Sequence, residues 1–213
     1  MNLKNTDSKV NKAIMYLINV DKRIKPLVKS YHLEQLDSEK SYLKSLVRSI
    51  IFQQLSGRAA KTIFDRFMAL FLEEKNLNPN EILSLDSALM RSVGISSSKV
   101  NYIKNIAKSF VEKSIDYPNF SKLTDDQIIE SLVSIKGVGR WTAQMFLIFT
   151  LKRPDVFPEG DLGVRKGFQL FYNLEDLPSS ELILKRSEVW SPYRSFMARY
   201  FWKVSDDIEL LRR

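Results

Sequence analysis

Apolar residues recur at helical spacing along almost the whole chain, and that regularity leaves little room for anything but a helical fold. Val10, Ala13, Ile14, Leu17 and Ile18 form a first stripe, and Leu43, Leu46, Val47, Ile50 and Ile51 a second. Ala59, Ala60, Ile63, Phe64, Phe67, Met68 and Phe71 form a third, followed by Asn78-Pro79-Asn80. Val100, Ile103, Ile106, Ala107 and Phe110 form a fourth, with Tyr117-Pro118-Asn119 as its terminating turn. Residues three and four apart share one face of a helix, so each stripe predicts a helix with one buried side. Asp37 or Ser38 is the expected N-cap ahead of the second stripe, and Thr124 with Gln127 reads as a capping box ahead of Ile128, Ile129, Leu132 and Val133. No stretch alternates with period two, and Asn-Gly and Asp-Gly pairs are absent. Seven glycines and seven prolines in 213 residues leave few sites for tight hairpins. The expected class is all-α, with about nine to eleven helices joined by short loops.

Composition narrows the chemistry. Lysine and arginine exceed aspartate and glutamate by 33 to 25, a net charge of +8, which favours polyanions and nucleic acid above all. With no cysteine there can be no disulfide, Cys-ligated zinc, iron–sulfur cluster or cysteine nucleophile. The single histidine, His32, argues against a polyhistidine metal site or a Ser-His-Asp triad and reads as a helix-end residue. Glu73-Glu74-Lys75 reads as a solvated face. No apolar run reaches the length of a membrane span, and residues 1–20 lack the pattern of a signal peptide. The expected location is therefore intracellular: cytoplasm or nucleoid, or the nucleus in a eukaryote.

Two segments share a plan of helix, short glycine-containing loop and helix: residues 86–110 around Val93-Gly94-Ile95, and residues 124–150 around Lys136-Gly137-Val138-Gly139. In the second, two glycines permit a tight turn and leave amide N–H groups uncovered at the start of the next helix, a ready phosphate site. Lys136 and Arg140 flank it with positive charge. An αα-corner that happens to use glycine is the plainer alternative. Further on, Phe157-Pro158-Glu159-Gly160-Asp161-Leu162-Gly163-Val164-Arg165 puts Asp161 just before a predicted helix from Leu162 to Tyr172. There a carboxylate is at least an N-cap, and the helix dipole favours its ionised form.

The run Lys136-Gly137-Val138-Gly139-Arg140-Trp141-Thr142-Ala143, followed by the Asp161 segment, resembles the helix-hairpin-helix superfamily of DNA glycosylases, and within it the alkylation-repair 3-methyladenine branch. Three more stretches agree: Leu46 to Ala60 with Gln53-Gln54, Gly94 to Ile103, and Trp190-Ser191-Pro192-Tyr193-Arg194-Ser195. The resemblance covers about residues 40–205. It implies two helical lobes flanking a DNA-binding cleft, residues 42–160 in one and residues 1–41 with 161–213 in the other, and no additional N-terminal β-domain. It implies an enzyme that flips an alkylated purine of the 3-methyladenine or 7-methylguanine type out of double-stranded DNA and hydrolyses its N-glycosidic bond.

Carried onto this sequence, the resemblance makes Asp161 the catalytic carboxylate. Trp141, Tyr193, Met145 and Phe52 become base-pocket residues, Met145 standing where some relatives have an aromatic and Phe52 being as readily a core residue. Lys136, Gly137, Val138, Gly139, Arg140 and Thr142 become the hairpin's DNA contacts, with Gln53 a further DNA-binding residue, and one of Gln54, Leu55 and Ser56 fills the gap left by the flipped base. Members that also cut the backbone carry a Schiff-base lysine where this chain has Trp141, so a monofunctional enzyme without lyase activity is implied. No cofactor is required; a structural monovalent cation on the carbonyls of Val133, Ile135 and Val138 is the one ion implied. The expected partner is DNA containing alkylated bases, the expected state a monomer, and no membrane is involved. Other damaged bases, a non-catalytic DNA-binding module and a basic helical scaffold stay open as alternatives.

Overall fold

The computed structural model describes residues 8–36, 41–55, 57–71 and 77–211. Among these there is no strand, and the class is all-α. Twelve α-helices follow one another: α1 Ser8–Val20, α2 Lys25–Ser30, α3 Tyr42–Phe52, α4 Gly57–Met68, α5 Pro79–Ser84, α6 Ser87–Ser92, α7 Ser97–Val111, α8 Asp125–Val133, α9 Arg140–Met145, α10 Leu162–Tyr172, α11 Ser180–Ser187 and α12 Arg194–Leu211. Short 3₁₀ turns lie at Lys22–Ile24, Tyr117–Lys122 and Glu188–Trp190, and α9 runs directly into a π turn at Phe146–Thr150. No helix among the described residues is long and apolar enough to cross a membrane.

The count exceeds the nine to eleven expected because six-residue helices such as α5 and α6 are too short to declare a period. They are visible instead through their caps, Asn78 accepting from the Asn80 amide and Asp86 from the Ala88 amide. The N-cap of α3 is Ser41, which accepts from Lys44 N; Asp37 and Ser38 lie outside the described residues, as do Ser56 and Glu73-Glu74-Lys75. Helix α7 stops at Val111, short of the expected turn at residue 117, because Lys113 takes a left-handed conformation at φ 52°. Tyr117 then folds back, its ring stacked 3.9 Å from that of Phe110.

The chain packs as two compact units, Met1–Asp37 with Lys152–Arg213, and Ser38–Leu151. Residues 152–160, expected with the hairpin lobe, thus pack with the terminal segments. In the hairpin unit the predicted stripes converge: Leu46, Val47, Ile50 and Ile51 of α3, Phe67 of α4, Ile103 and Ile106 of α7, Leu132 of α8 and Phe146 are all fully buried. In the terminal unit Leu17, Ile24, Phe168, Trp190, Tyr200 and Phe201 form the core. Each such side chain contributes roughly 1.5–3 kcal/mol through burial.

Helices α10 and α12 meet at Gly167. A Cβ there would lie 2.0 Å from the Phe201 carbonyl oxygen, and backbone cannot rotate aside. Two carboxylates brace the same unit. Asp21, 5% exposed, accepts from the Arg23 guanidinium at 2.7 and 2.9 Å and from the Trp190 indole at 3.4 Å. Asp155 accepts from Arg194 Nε at 2.8 Å and Ser191 Oγ at 2.8 Å. Burial pushes both pKa values up, but the bonds from Arg23 and from Arg194 with Ser191 outweigh it and hold both carboxyls below the usual carboxylate range.

Two outcomes follow. Gly167→Ala should destabilise by about 3 kcal/mol through overpacking, read as a melting midpoint roughly 6–12 °C lower. The lowered pKa values mean that the unfolded chain binds protons more readily at these carboxyls. Their stabilisation is therefore complete above the unfolded pKa, about 4, and is lost as pH falls through the folded values. The urea midpoint should drop on acidification below about pH 4, and Asp21→Asn should lower it at neutral pH while flattening that acid limb.

Candidate functional site

The hairpin between α8 and α9 is assembled from local signals. Thr124 and Gln127 form the predicted capping box, the Thr124 amide donating to Gln127 Oε1 at 2.9 Å and the Gln127 amide to Thr124 Oγ1 at 3.3 Å. After Val133 the turn closes through Ile135 N to Leu132 O at 3.1 Å and Val138 N to Ile135 O at 2.9 Å. Gly137 has φ +104°, and a Cβ on it would fall 2.1 Å from Cγ of Tyr102. Gly139, the N-cap of α9, lies in open space with ordinary backbone angles. Among the described residues the amides of Gly137 and Gly139 find no acceptor. With Lys136 and Arg140 exposed on either side, the turn presents N–H groups and positive charge to solvent, an arrangement that attracts anions.

Side chains from α3 and α7 hold this turn. Gln53 Nε2 donates to Thr142 Oγ1 at 2.9 Å and to Gly137 O at 3.4 Å. Lys99 Nζ donates to Ile51 O at 2.8 Å and Gln53 O at 2.7 Å, capping the end of α3; burial lowers its pKa. Asn105 Nδ2 donates to Lys136 O at 3.0 Å. An open depression of about 510 Å³ lies among Gln53, Lys99, Tyr102 and the two hairpin glycines. Beside it Gln54, at φ 56°, and Leu55, 40% exposed, form the tip of the α3–α4 loop.

Several expected roles change. Thr142, expected among the DNA contacts, is 1% exposed, and its hydroxyl is taken by Gln53; it is an internal strut. The Gln53 amide nitrogen is likewise engaged with the hairpin, while its side chain borders the open depression. Val138 is 3% exposed and can offer only its backbone. Met145 is buried at the end of α9, and Trp141 is half-buried. Phe52 is half-buried beneath the Arg48 guanidinium, 4.1 Å from its ring centroid.

In the terminal unit Asp161 is the N-cap of α10, as expected, accepting from Val164 N at 2.8 Å. The same oxygen, Oδ1, accepts from the indole Nε1 of Trp202 at 2.8 Å. Gly163 makes room: a Cβ there would stand 2.8 Å from Trp202 Cδ1. Tyr193 is fixed by its amide on Trp190 O at 2.7 Å and by an edge contact to Tyr16 at 5.2 Å between centroids. The bonds of Asp155 to Ser191 and Arg194 bracket it in sequence. Trp202, Asp155, Lys99 and Asn105 were not singled out from sequence. Among the described residues no group of His, Asp or Glu side chains could hold a metal ion.

The two hairpin glycines should respond differently to the same change. Gly137→Ala meets both a left-handed φ and the Tyr102 ring and should cost about 2–3 kcal/mol. Gly139→Ala should stay within about 0.5 kcal/mol. Chemical denaturation of the two variants separates the cases.

The sequence model described as HhH-GPD superfamily base excision DNA repair protein matches residues 47–192. DNA-3-methyladenine glycosylase 1 of Schizosaccharomyces pombe is 36% identical over 200 residues, spanning 92% of this chain and 88% of its own length. A DNA-3-methyladenine glycosylase of Saccharomyces cerevisiae is 33% identical over 216 residues, spanning 94% of this chain and 72% of its own. The solved structure of an S. pombe 3-methyladenine DNA glycosylase in complex with abasic DNA has the same fold, with a TM-score of 0.86 at 36% identity over 92% of this chain and 97% of that one. The chain belongs to the HhH-GPD superfamily of base excision DNA repair proteins.

Proposed function

We propose that this protein is a monofunctional DNA glycosylase that removes alkylated purines of the 3-methyladenine and 7-methylguanine type from double-stranded DNA and leaves an abasic site. The observation that carries the reading is Asp161, a carboxylate held by two donors at a helix N-terminus, in a chain whose other unit offers a basic hairpin with unsatisfied amides. Lys136, Arg140 and the amides of Gly137 and Gly139 take the phosphates of one strand without reading sequence. An N3- or N7-alkylated purine is a flat cation and a good leaving group. Trp141 and Tyr193 supply rings on which such a cation stacks; Met145 and Phe52 are further base contacts in this reading, and Gln54, Leu55 or Ser56 fills the vacated stack.

The chemistry asks little more of the protein. The C1′–N bond breaks, its electron pair leaves with the purine and cancels the purine's positive charge, and the sugar becomes an oxocarbenium-like cation. Asp161 stabilises that cation and takes a proton from the water that adds to C1′. Trp141 stands where a Schiff-base lysine would be needed for strand cutting, which supports hydrolysis alone. In the same reading the protein acts as a monomer at the nucleoid or nucleus. The carbonyls of Val133, Ile135 and Val138 would hold a structural monovalent cation; Ile135 O already accepts one amide bond and keeps a second lone pair for it.

Asp161→Asn tests the reading cleanly, because asparagine caps a helix as well as aspartate but carries no charge. Release of 7-methylguanine from a methylated duplex should fall about 10²–10⁴-fold, and wild-type product should show strand breaks only after alkali. Breaks without alkali would refute the monofunctional assignment; undiminished release by the variant would refute the role of Asp161. Lys136→Ala and Arg140→Ala should each reduce the slope of log affinity against log salt by about 1.

A further inference from the structure

We propose that Trp202 is a positioning residue for this reaction: its indole N–H, donating to Asp161 Oδ1, sets the direction in which the carboxylate presents its charge. The inference rests on the catalytic reading of Asp161 and goes beyond it. An N-cap bond alone restrains the turning of the carboxylate about its Cβ–Cγ bond through a single contact. Asp86 shows that a capping aspartate needs nothing more: its side chain accepts from the Ala88 amide at the start of α6. At Asp161 a second donor, from another helix, converges on the oxygen that already accepts from Val164, both bonds measuring 2.8 Å. Two donors from different directions on one oxygen define an orientation.

The surroundings are built for that contact. Gly163, at the second position of α10, is costly for a helix, yet a methyl group there would press to 2.8 Å from Trp202 Cδ1 and 3.2 Å from Asp161 Oδ1. Gly167, one turn on, admits the Phe201 backbone and so brings the neighbouring residue, Trp202, against α10. The donor is thus carried by packed helix rather than by a loop, as a site that must hold its geometry requires. Its chemistry also suits the task. Indole N–H only donates, and it is neutral, so this bond orients a carboxylate without itself cancelling the negative charge needed opposite a sugar cation.

The test is a double-mutant cycle on a duplex oligonucleotide carrying one 7-methylguanine, with single-turnover excision as the readout. Trp202→Phe keeps the ring packing and removes the N–H. It should slow excision about tenfold or more, while affinity for a duplex containing a tetrahydrofuran abasic analogue changes less than about twofold. In an Asp161→Asn background the same substitution should cost less than about twofold, since no charge remains to be aimed. Gly163→Ala, which crowds the indole, should reproduce the pattern and serves if Trp202→Phe fails to fold. Excision by Trp202→Phe within twofold of wild type, or a loss that persists undiminished in the Asp161→Asn background, would overturn the proposal. If Asp161→Asn itself excised at the wild-type rate, the catalytic reading would fall and this inference with it; loss by Asp161→Asn beside a normal Trp202→Phe would sink the inference alone.

Discussion

Helices α10 and α12 come as close as they do because residue 167 has no side chain, and much of the terminal unit's chemistry depends on that approach. Gly163 and Gly167 are four apart and therefore share one face of α10. At Gly167 the backbone of Phe201 fills the space a Cβ would occupy; at Gly163 the indole of Trp202 does so. Consecutive residues of α12 thus dock against consecutive gaps in α10, and the second reaches the carboxylate at the helix start. The bulk that a side chain would have supplied comes from aromatic packing, with Phe168, Trp190 and Phe201 rings mutually in contact.

The hairpin unit solves a related problem with backbone conformation. Gly94 and Gly137 hold nearly the same left-handed φ, +105° and +104°, and each ends a connection from a capped helix. Each also presses against a neighbour: Gly94 against Ile63, Gly137 against Tyr102. Helix α7 links the two turns, since Gly94 precedes it and Lys99, Tyr102 and Asn105 lie along it. Those three side chains support the α3–α4 loop, the Gly137 backbone and the Lys136 carbonyl respectively. The loop and hairpin expected to meet DNA are therefore braced from one rigid helix, which limits the ordering cost of binding.

What could be read from sequence was what is local. The capping box at Thr124–Gln127, the bounds of α10 and the capping role of Asp161 each depend on residues within a few positions, and each appears as expected. The apolar stripes named the core because helical period and burial are one phenomenon. The pairings that aim the site are not local. Gln53 to Thr142 spans 89 positions, Trp202 to Asp161 spans 41 and Arg194 to Asp155 spans 39; no periodicity encodes them. Thr142, placed among the DNA contacts by the resemblance alone, is a case in point: its hydroxyl is taken by Gln53, 89 positions away, and it lies on the buried side of α9. The one sequence signal available was the Gly163/Gly167 spacing, which announces a close neighbour on that face without naming it.

The hairpin and Asp161 make opposite demands. The hairpin must keep donors unsatisfied, a cost most folds avoid, and it can do so only where water or a phosphate substitutes for a partner; Gly139 and its exposed surroundings meet that condition. Asp161 must be the reverse, an acceptor fully aimed. Capping α10 needs one bond, which a serine could supply; the bond from Trp202 comes in addition to it. At Asp161 two donors from different helices meet one oxygen, and the glycine at position 163 leaves room for the second; in the proposed reading, this sets a negative charge to meet a positive one. In the proposed reaction that positive charge develops on the sugar, and the direction of the Asp161 carboxylate is then what the Trp202 contact governs.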